Sequence, residues 1–177
     1  MSSLPIRTVK PSCKDSQWLW ESTRIVHAAV DVMGQIWHVV LIYGFTNSKH
    51  DREAMAKNEE LLQRAFRYLA GLGQAHLIVL TDLNTTPEAS ATVRQMIGRG
   101  LLWDAACLGA QAQGLPPAMT CFAHETSAGT RRDYVFTNLS ATHLLRSCGT
   151  LEDTGIPPHK PVLATFELVE KEYVGRR

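Results

Sequence analysis

The chain has 177 residues, with 18 Lys and Arg against 17 Asp and Glu, for a formal net charge of +1. Hydrophobic residues make up 45% and charged residues 20%, a globular composition that excludes a disordered, fibrous or low-complexity chain. There is no polybasic tail and no acidic tract, so any hold on nucleic acid must come from a local groove rather than from bulk attraction.

The length fits a single domain over residues 1–177. Residues 1–20 hold Pro5, Pro11 and scattered polar residues and read as irregular, with Trp18 and Trp20 as packing anchors. They lack the apolar core of a secretory leader, and no run approaches the ~18 apolar residues of a membrane span. The expectation is an intracellular protein without a membrane partner. From Arg24 onward Val26, Ala28, Val30 and Val32 recur at alternate positions, the period of a strand. Gly34-Gln35 predicts a tight turn, and Ile36 to Tyr43 is nearly continuous apolar sequence, the pattern of a strand buried on both faces. The two strands are expected to pair as a hairpin.

The spacing of Met55, Leu62, Phe66 and Leu69 predicts a helix over 49–70, started by Ser48 with Asp51 and stopped by Gly71 and Gly73. Its mixed charges predict a solvated outer face. His76 to Thr81 is a second buried-strand pattern and runs into Asp82-Leu83-Asn84. Thr86 before Pro87 and Glu88 predicts a helix start, with Val93, Met96 and Ile97 as the apolar stripe to about Gly98. Residues 107–118 are small and include Pro116-Pro117, so they read as a loop. Met119 to Ala123, Asp133 to Thr137, His143 to Ser147 and Val162 to Leu168 read as short strands. This order predicts a mixed α/β fold with strands in more than one sheet. Cys13, Cys107, Cys121 and Cys148 form no CxxC pair, and Cys121 with His124 is half a zinc motif, so free thiols are expected.

Four groups of residues at strand ends could do chemistry. Asp82 and Asn84 follow the His76–Thr81 strand. The carboxylate suits a metal or the activation of water, the amide a developing oxyanion, and both also suit an ordinary turn. Asp133 opens the Tyr134-Val135-Phe136 strand, either as an edge polar residue or as a partner for a base. His159 stands between Pro158 and Pro161 at a strand entry, placed for phosphate contact or proton transfer, or as a loop histidine. Tyr43 ends an apolar strand and reads equally as a phosphate donor or a core tyrosine. The other six histidines have no ligand-like spacing and read as structural or exposed.

Taken in order, Tyr43-Gly44, then Asp82-Leu83-Asn84-Thr85-Thr86-Pro87, then Arg132-Asp133-Tyr134-Val135-Phe136, then Pro157-Pro158-His159-Lys160-Pro161-Val162 resembles the endonuclease/exonuclease/phosphatase superfamily. This is the deoxyribonuclease-I-like group that includes abasic-site endonucleases and retrotransposon endonuclease domains. The resemblance covers about residues 20–170. It implies two packed β-sheets flanked by helices and magnesium-dependent (alternatively manganese-dependent) hydrolysis of a phosphoester, with nucleic acid as the substrate. It also implies roles. Asp82 orients or deprotonates the attacking water, and Asn84 stabilises the pentacovalent transition state. His159 contacts the scissile phosphate, Asp133 holds its ring, and Tyr43 donates to a phosphate oxygen. Asp82 and Asn84 are the implied metal-linked residues.

The pattern departs from that family in two places. An early Asn and a metal-holding Glu have no counterpart before Tyr43, where Glu21 and Asp15 stand in other contexts, so the domain is expected to be incomplete at its amino-terminal side. Pro158 stands where an Asp precedes the motif His, and Asp153 lies five residues before it. Two other readings stay open: a catalytically inactive remnant of the fold, and a phosphomonoesterase for a phosphoinositide-like substrate, which the near-neutral charge favours over a duplex-DNA enzyme.

Overall fold

In the computed structural model the described residues are 4–9, 14–124, 127–151 and 158–168. Pro11, Cys13, Asp153 and Pro157, named above, lie outside them. The amino-terminal stretch read as irregular holds two elements, strand β1 (Ile6–Thr8) and helix α1 (Lys14–Glu21). β1 is three residues long and exposed throughout, so it offers no period to read. α1 is anchored by Leu19, which is fully buried, and Arg64 lies over its Trp18 ring at 4.7 Å.

The hairpin forms as expected, from β2 (Ile25–Val32) and β3 (Gln35–Tyr43). Its turn is Met33-Gly34 rather than Gly34-Gln35. Both residues have positive φ, 54° and 76°, as a two-residue hairpin turn requires. Helix α2 (Arg52–Ala70) starts one residue after its cap, Asp51, whose carboxylate accepts from Glu53 N and Ala54 N. Ser48 is not the cap. Its hydroxyl is buried and donates to Asn84 O at 2.8 Å. Met55 is 45% exposed, and the buried stripe of α2 is Asn58, Leu61, Leu62, Ala65, Phe66 and Leu69.

β4 (His76–Asp82) follows as expected. Helix α3 (Ala91–Gly98) starts later than Thr86-Pro87, because Ser90 caps it by accepting from Val93 N. Thr86 instead closes a turn through Ala89 N at 3.3 Å. Strand β5 (Trp103–Asp104) leads into helix α4 (Ala105–Ala112) in the segment read as a loop. Alanine is the strongest helix former. The residues are small because the helix packs closely: a Cβ on Gly109 would stand 3.0 Å from Cys148 O. Met119 to Ala123 is not a strand but an extended strap, with isolated bridges from Cys121 to Thr130 and His159. β6 (Asp133–Thr137), the single turn α5 (Leu139–Thr142), β7 (Leu145–Thr150) and β8 (Val162–Phe166) complete the order. β7 begins two residues later than the pattern suggests because α5 takes up the preceding turn.

The strands form a six-stranded sheet in the order β1-β2-β3-β4-β6-β5 and a two-stranded sheet, β7-β8, with helices flanking them. β3 and β4 are parallel and all other pairs antiparallel. One face of the large sheet packs against α1, α2 and α3 through fully buried Leu19, Val40, Leu61, Val79, Val93 and Phe136. Each such large side chain contributes about 1.5–3 kcal/mol. His27 is also buried there, with its Nδ1 2.7 Å from the Tyr68 hydroxyl and its Nε2 2.8 Å from His38 Nδ1. The opposite face is covered by β7-β8, where Trp37 meets Phe166 edge-on at 5.5 Å. That cover does not extend over the whole face. Val26, Leu41 and Tyr43 are about half exposed, so β3 is not buried on both faces along its length. Among the described residues no helix is long and apolar enough to cross a membrane, and Cys107, Cys121 and Cys148 are free thiols.

Candidate active site

The register of the large sheet sets the site. Tyr43 ends β3 opposite Asp82 at the end of parallel β4, and Asp82 stands opposite Asp133 at the start of antiparallel β6. Directly paired residues project from the same face of a sheet. Tyr43, Asp82 and Asp133 therefore form a row across three adjacent strands, at the edge where the chain leaves β3 and β4.

His159 reaches this row from the loop before β8. Its Nδ1 lies 2.7 Å from Asp133 Oδ2. A carboxylate only accepts, so Nδ1 carries the proton and Nε2 is left for another partner. The strap 119–123 holds both partners in place. Thr120 is 2% exposed, and its hydroxyl oxygen accepts from Arg132 N and Asp133 N, each at 3.0 Å. Its carbonyl accepts from Lys160 N at 2.7 Å, and Phe122 N donates to Pro158 O at 2.8 Å. Sequence reasoning missed Thr120. A threonine in a short apolar stretch carries no signal until the two segments it joins are known.

Asp82, Asp133 and His159 place their ligand atoms within 4.8 Å of one another, the only such group of His, Cys, Asp and Glu among the described residues. Burial pushes the Asp82 carboxyl above its usual range, and nearby Asp133 adds to the rise. The Asn84 N–H, which donates to Asp82 Oδ1 at 3.0 Å, pulls the other way, as do His159 and Arg132. Two close carboxylates, one of them raised, form a site that a cation relieves. The donor set also fits magnesium, which is held by one or two carboxylates and keeps several of its waters.

Asn84 is placed differently. It is 6% exposed, adopts a left-handed φ of 53°, and donates from Nδ2 to Gly44 O at 3.2 Å. It lines a cavity of about 400 Å³ with Thr85, Arg131 and Arg132. Tyr43, Asp82, Asp133 and His159 line a separate cavity of about 490 Å³, whose floor is apolar through Val26, Leu41, Leu80 and Val162. Two cations flank that cavity. Arg24 donates to the carbonyls of Tyr43 and Gly44 and stacks on Phe45 at 3.9 Å, and Lys160 follows His159.

No protein-family model matches the chain, and no curated protein sequence does. Solved structures do match in fold. The 3′ phosphatase NExo from Neisseria, bound to a product DNA hairpin, has a TM-score of 0.64 at 16% identity, over 92% of this chain and 70% of its own. The catalytic domain of Xenopus laevis APE2 has a TM-score of 0.62 at 19% identity, over 86% of this chain and 58% of its own. An AP endonuclease from Archaeoglobus fulgidus has a TM-score of 0.58 at 14% identity, over 80% of this chain and 65% of its own. The chain thus spans less than two thirds of the length of two of these three. The chain shares the fold of these structures, the deoxyribonuclease-I-like pairing of two β-sheets flanked by helices.

Proposed function

We propose that this chain is a divalent-metal-assisted phosphodiester hydrolase acting on nucleic acid, an endonuclease of abasic-site or retrotransposon type. The observation that carries this reading is the convergence of Asp82, Asp133 and His159, within 4.8 Å, at the end of the Tyr43 row. The AP endonuclease neighbour and the 3′ phosphatase neighbour bound to a product DNA hairpin support the same substrate class.

In this reading Asp82 takes the proton of the attacking water, a task helped by a carboxyl whose affinity for protons burial has raised. Asp133 keeps the His159 proton on Nδ1 and fixes the ring, which leaves Nε2 to face a phosphoryl oxygen. Tyr43 donates its hydroxyl from the next strand. The role implied for Asn84, stabilising the pentacovalent transition state, needs a substrate that reaches from the Asp82 cavity into the one Asn84 lines. A magnesium or manganese ion, held by Asp82 and Asp133 with His159 beside it, would neutralise charge on the phosphoryl oxygens.

A specific observation favours a second reading, an inactive form of the fold. The cluster holds only two carboxylates among the described residues, and Pro158 rather than an acid precedes His159. Nicking of supercoiled plasmid by the purified chain separates the two. The expected result is nicking that needs magnesium, stops with chelator, and is lost in Asp82→Ala and in His159→Ala. A cooperatively melting protein that does not nick overturns the endonuclease reading. Release of phosphate from a soluble monoester without nicking would favour the phosphomonoesterase.

A further inference from the structure

We infer that Asn58, on the buried face of α2, is a positioning residue for the Asp82 site; this rests on the reading just proposed. Asn58 is 1% exposed and sits in a stripe whose other members are Leu61, Leu62, Ala65, Phe66 and Leu69. An amide at such a position is costly unless its donor and acceptor both find partners. Its partners lie in the two loops that end β3 and β4. Oδ1 accepts from Phe45 N at 3.0 Å, and Nδ2 donates to Leu83 O at 3.0 Å. Phe45 comes two residues after Tyr43, and Leu83 comes one after Asp82. A single side chain therefore ties together the two strand ends that carry Tyr43 and Asp82, two of the three residues of the row.

The surrounding contacts leave little slack. Asn58 Nδ2 also approaches Ser48 Oγ at 3.5 Å, and Ser48 Oγ donates to Asn84 O at 2.8 Å. Gly44 N donates to Asp82 O at 2.8 Å. A Cβ on Gly44 would stand 2.9 Å from Asn58 Oδ1, 2.9 Å from Asp82 O and 2.6 Å from Leu83 O. Asn58 does not line the Asp82 cavity, so it acts through the backbone. The Leu83–Asn84 peptide, whose carbonyl Asn58 holds, donates its N–H to Asp82 Oδ1 at 3.0 Å and so helps to set the direction of that carboxylate. Residues that orient a ligating carboxylate in this way commonly govern metal affinity without touching the metal.

Calorimetric titration with Mn²⁺ tests the inference on wild type, Asn58→Ala and Leu62→Ala, each below its own melting temperature. Leu62→Ala removes a neighbouring buried side chain of the same helix and serves as a stability control. Asn58→Ala is expected to weaken Mn²⁺ binding about tenfold, whereas Leu62→Ala, although less stable, binds as wild type does. Should Asn58→Ala not fold, Ser48→Ala removes one link of the same network, one step further from Asp82, and is expected to weaken binding about threefold, less than the roughly tenfold effect of a direct supporting partner. Wild-type affinity in a folded Asn58→Ala, or in Ser48→Ala measured in its place, overturns the inference alone. So does an equal loss in Leu62→Ala. Wild type that binds no Mn²⁺ at the Asp82 cluster removes the proposed function, and the inference with it.

Discussion

Asp133 Oδ2 lies 2.7 Å from His159 Nδ1, a contact made between the first residue of β6 and the loop before β8. It fixes which ring nitrogen carries the proton. Asp133→Asn keeps the shape but can offer an N–H to Nδ1 in place of a carboxylate oxygen, which favours the other tautomer. The expected outcome is a fall in kcat of about 10²–10⁴-fold with little change in melting temperature, the size seen when a histidine loses its orienting carboxylate. Steady-state kinetics beside a thermal melt check it. Full activity in Asp133→Asn would remove the orienting role.

Metal binding should also appear in stability. A cation held by Asp82 and Asp133 binds the folded chain and not the unfolded one. At a hundredfold excess over its Kd it adds about 2.7 kcal/mol, or roughly 5–10 °C in Tm at this chain length. Scanning calorimetry with and without Mg²⁺ reads the shift, and chelator should reverse it. Asp82→Ala should melt at the same temperature with or without the ion.

Gly44 tests the packing behind the row. Gly44→Ala must displace the backbone carbonyls of Asp82 and Leu83 as well as the hydrogen-bonded amide oxygen of Asn58. Forced packing of this kind costs about 1–3 kcal/mol. Gly149 on β7 has open space around its Cβ position, and Gly149→Ala is expected to stay within about 0.5 kcal/mol of wild type. Urea melts of the two variants give the comparison. Equal stabilities would show that the β3 and β4 ends are looser than the contacts at Gly44 require.

His27 predicts a loss of stability in mild acid. Burial lowers its pKa from 6.5 to about 4, and neighbouring His38 adds to the fall. Between those values the unfolded chain binds a proton that the folded chain does not. Stability is therefore full above about pH 6.5 and is lost as pH falls toward 4, by up to about 3 kcal/mol. His38 is lowered as well, by burial and then by Arg7, and acts in the same direction. Urea melts from pH 7.5 to 4.5 should show the slope, and His27→Gln should flatten it. An unchanged slope in that variant would place its origin elsewhere.

The strands that matter most were legible as apolar runs, because β3, β4 and β6 are held by burial on the helix-facing side and their ends are marked by Tyr43, Asp82 and Asp133. The order of those three residues and His159 also carried the fold. Helix starts were less legible. Asp51, Ser90 and Asp104 act as caps, while Ser48 and Thr86, equally good caps by composition, spend their hydroxyls on a buried contact and a turn. α4 was hidden because its small residues answer to the close approach of β7, which no local pattern records.

The chain alone thus determined which groups could do chemistry and that they sit at strand ends, since residue type and apolar period are local properties. Their meeting was decided only by tertiary structure. Strand register aligned Tyr43, Asp82 and Asp133, and Thr120 tied the β6 entry to the His159 loop. Asn58, which composition marks as an ordinary helix polar residue, became a link between two strand ends. Each of these depends on hydrogen bonds between segments far apart in sequence, and such pairings are set by the packing of the whole fold.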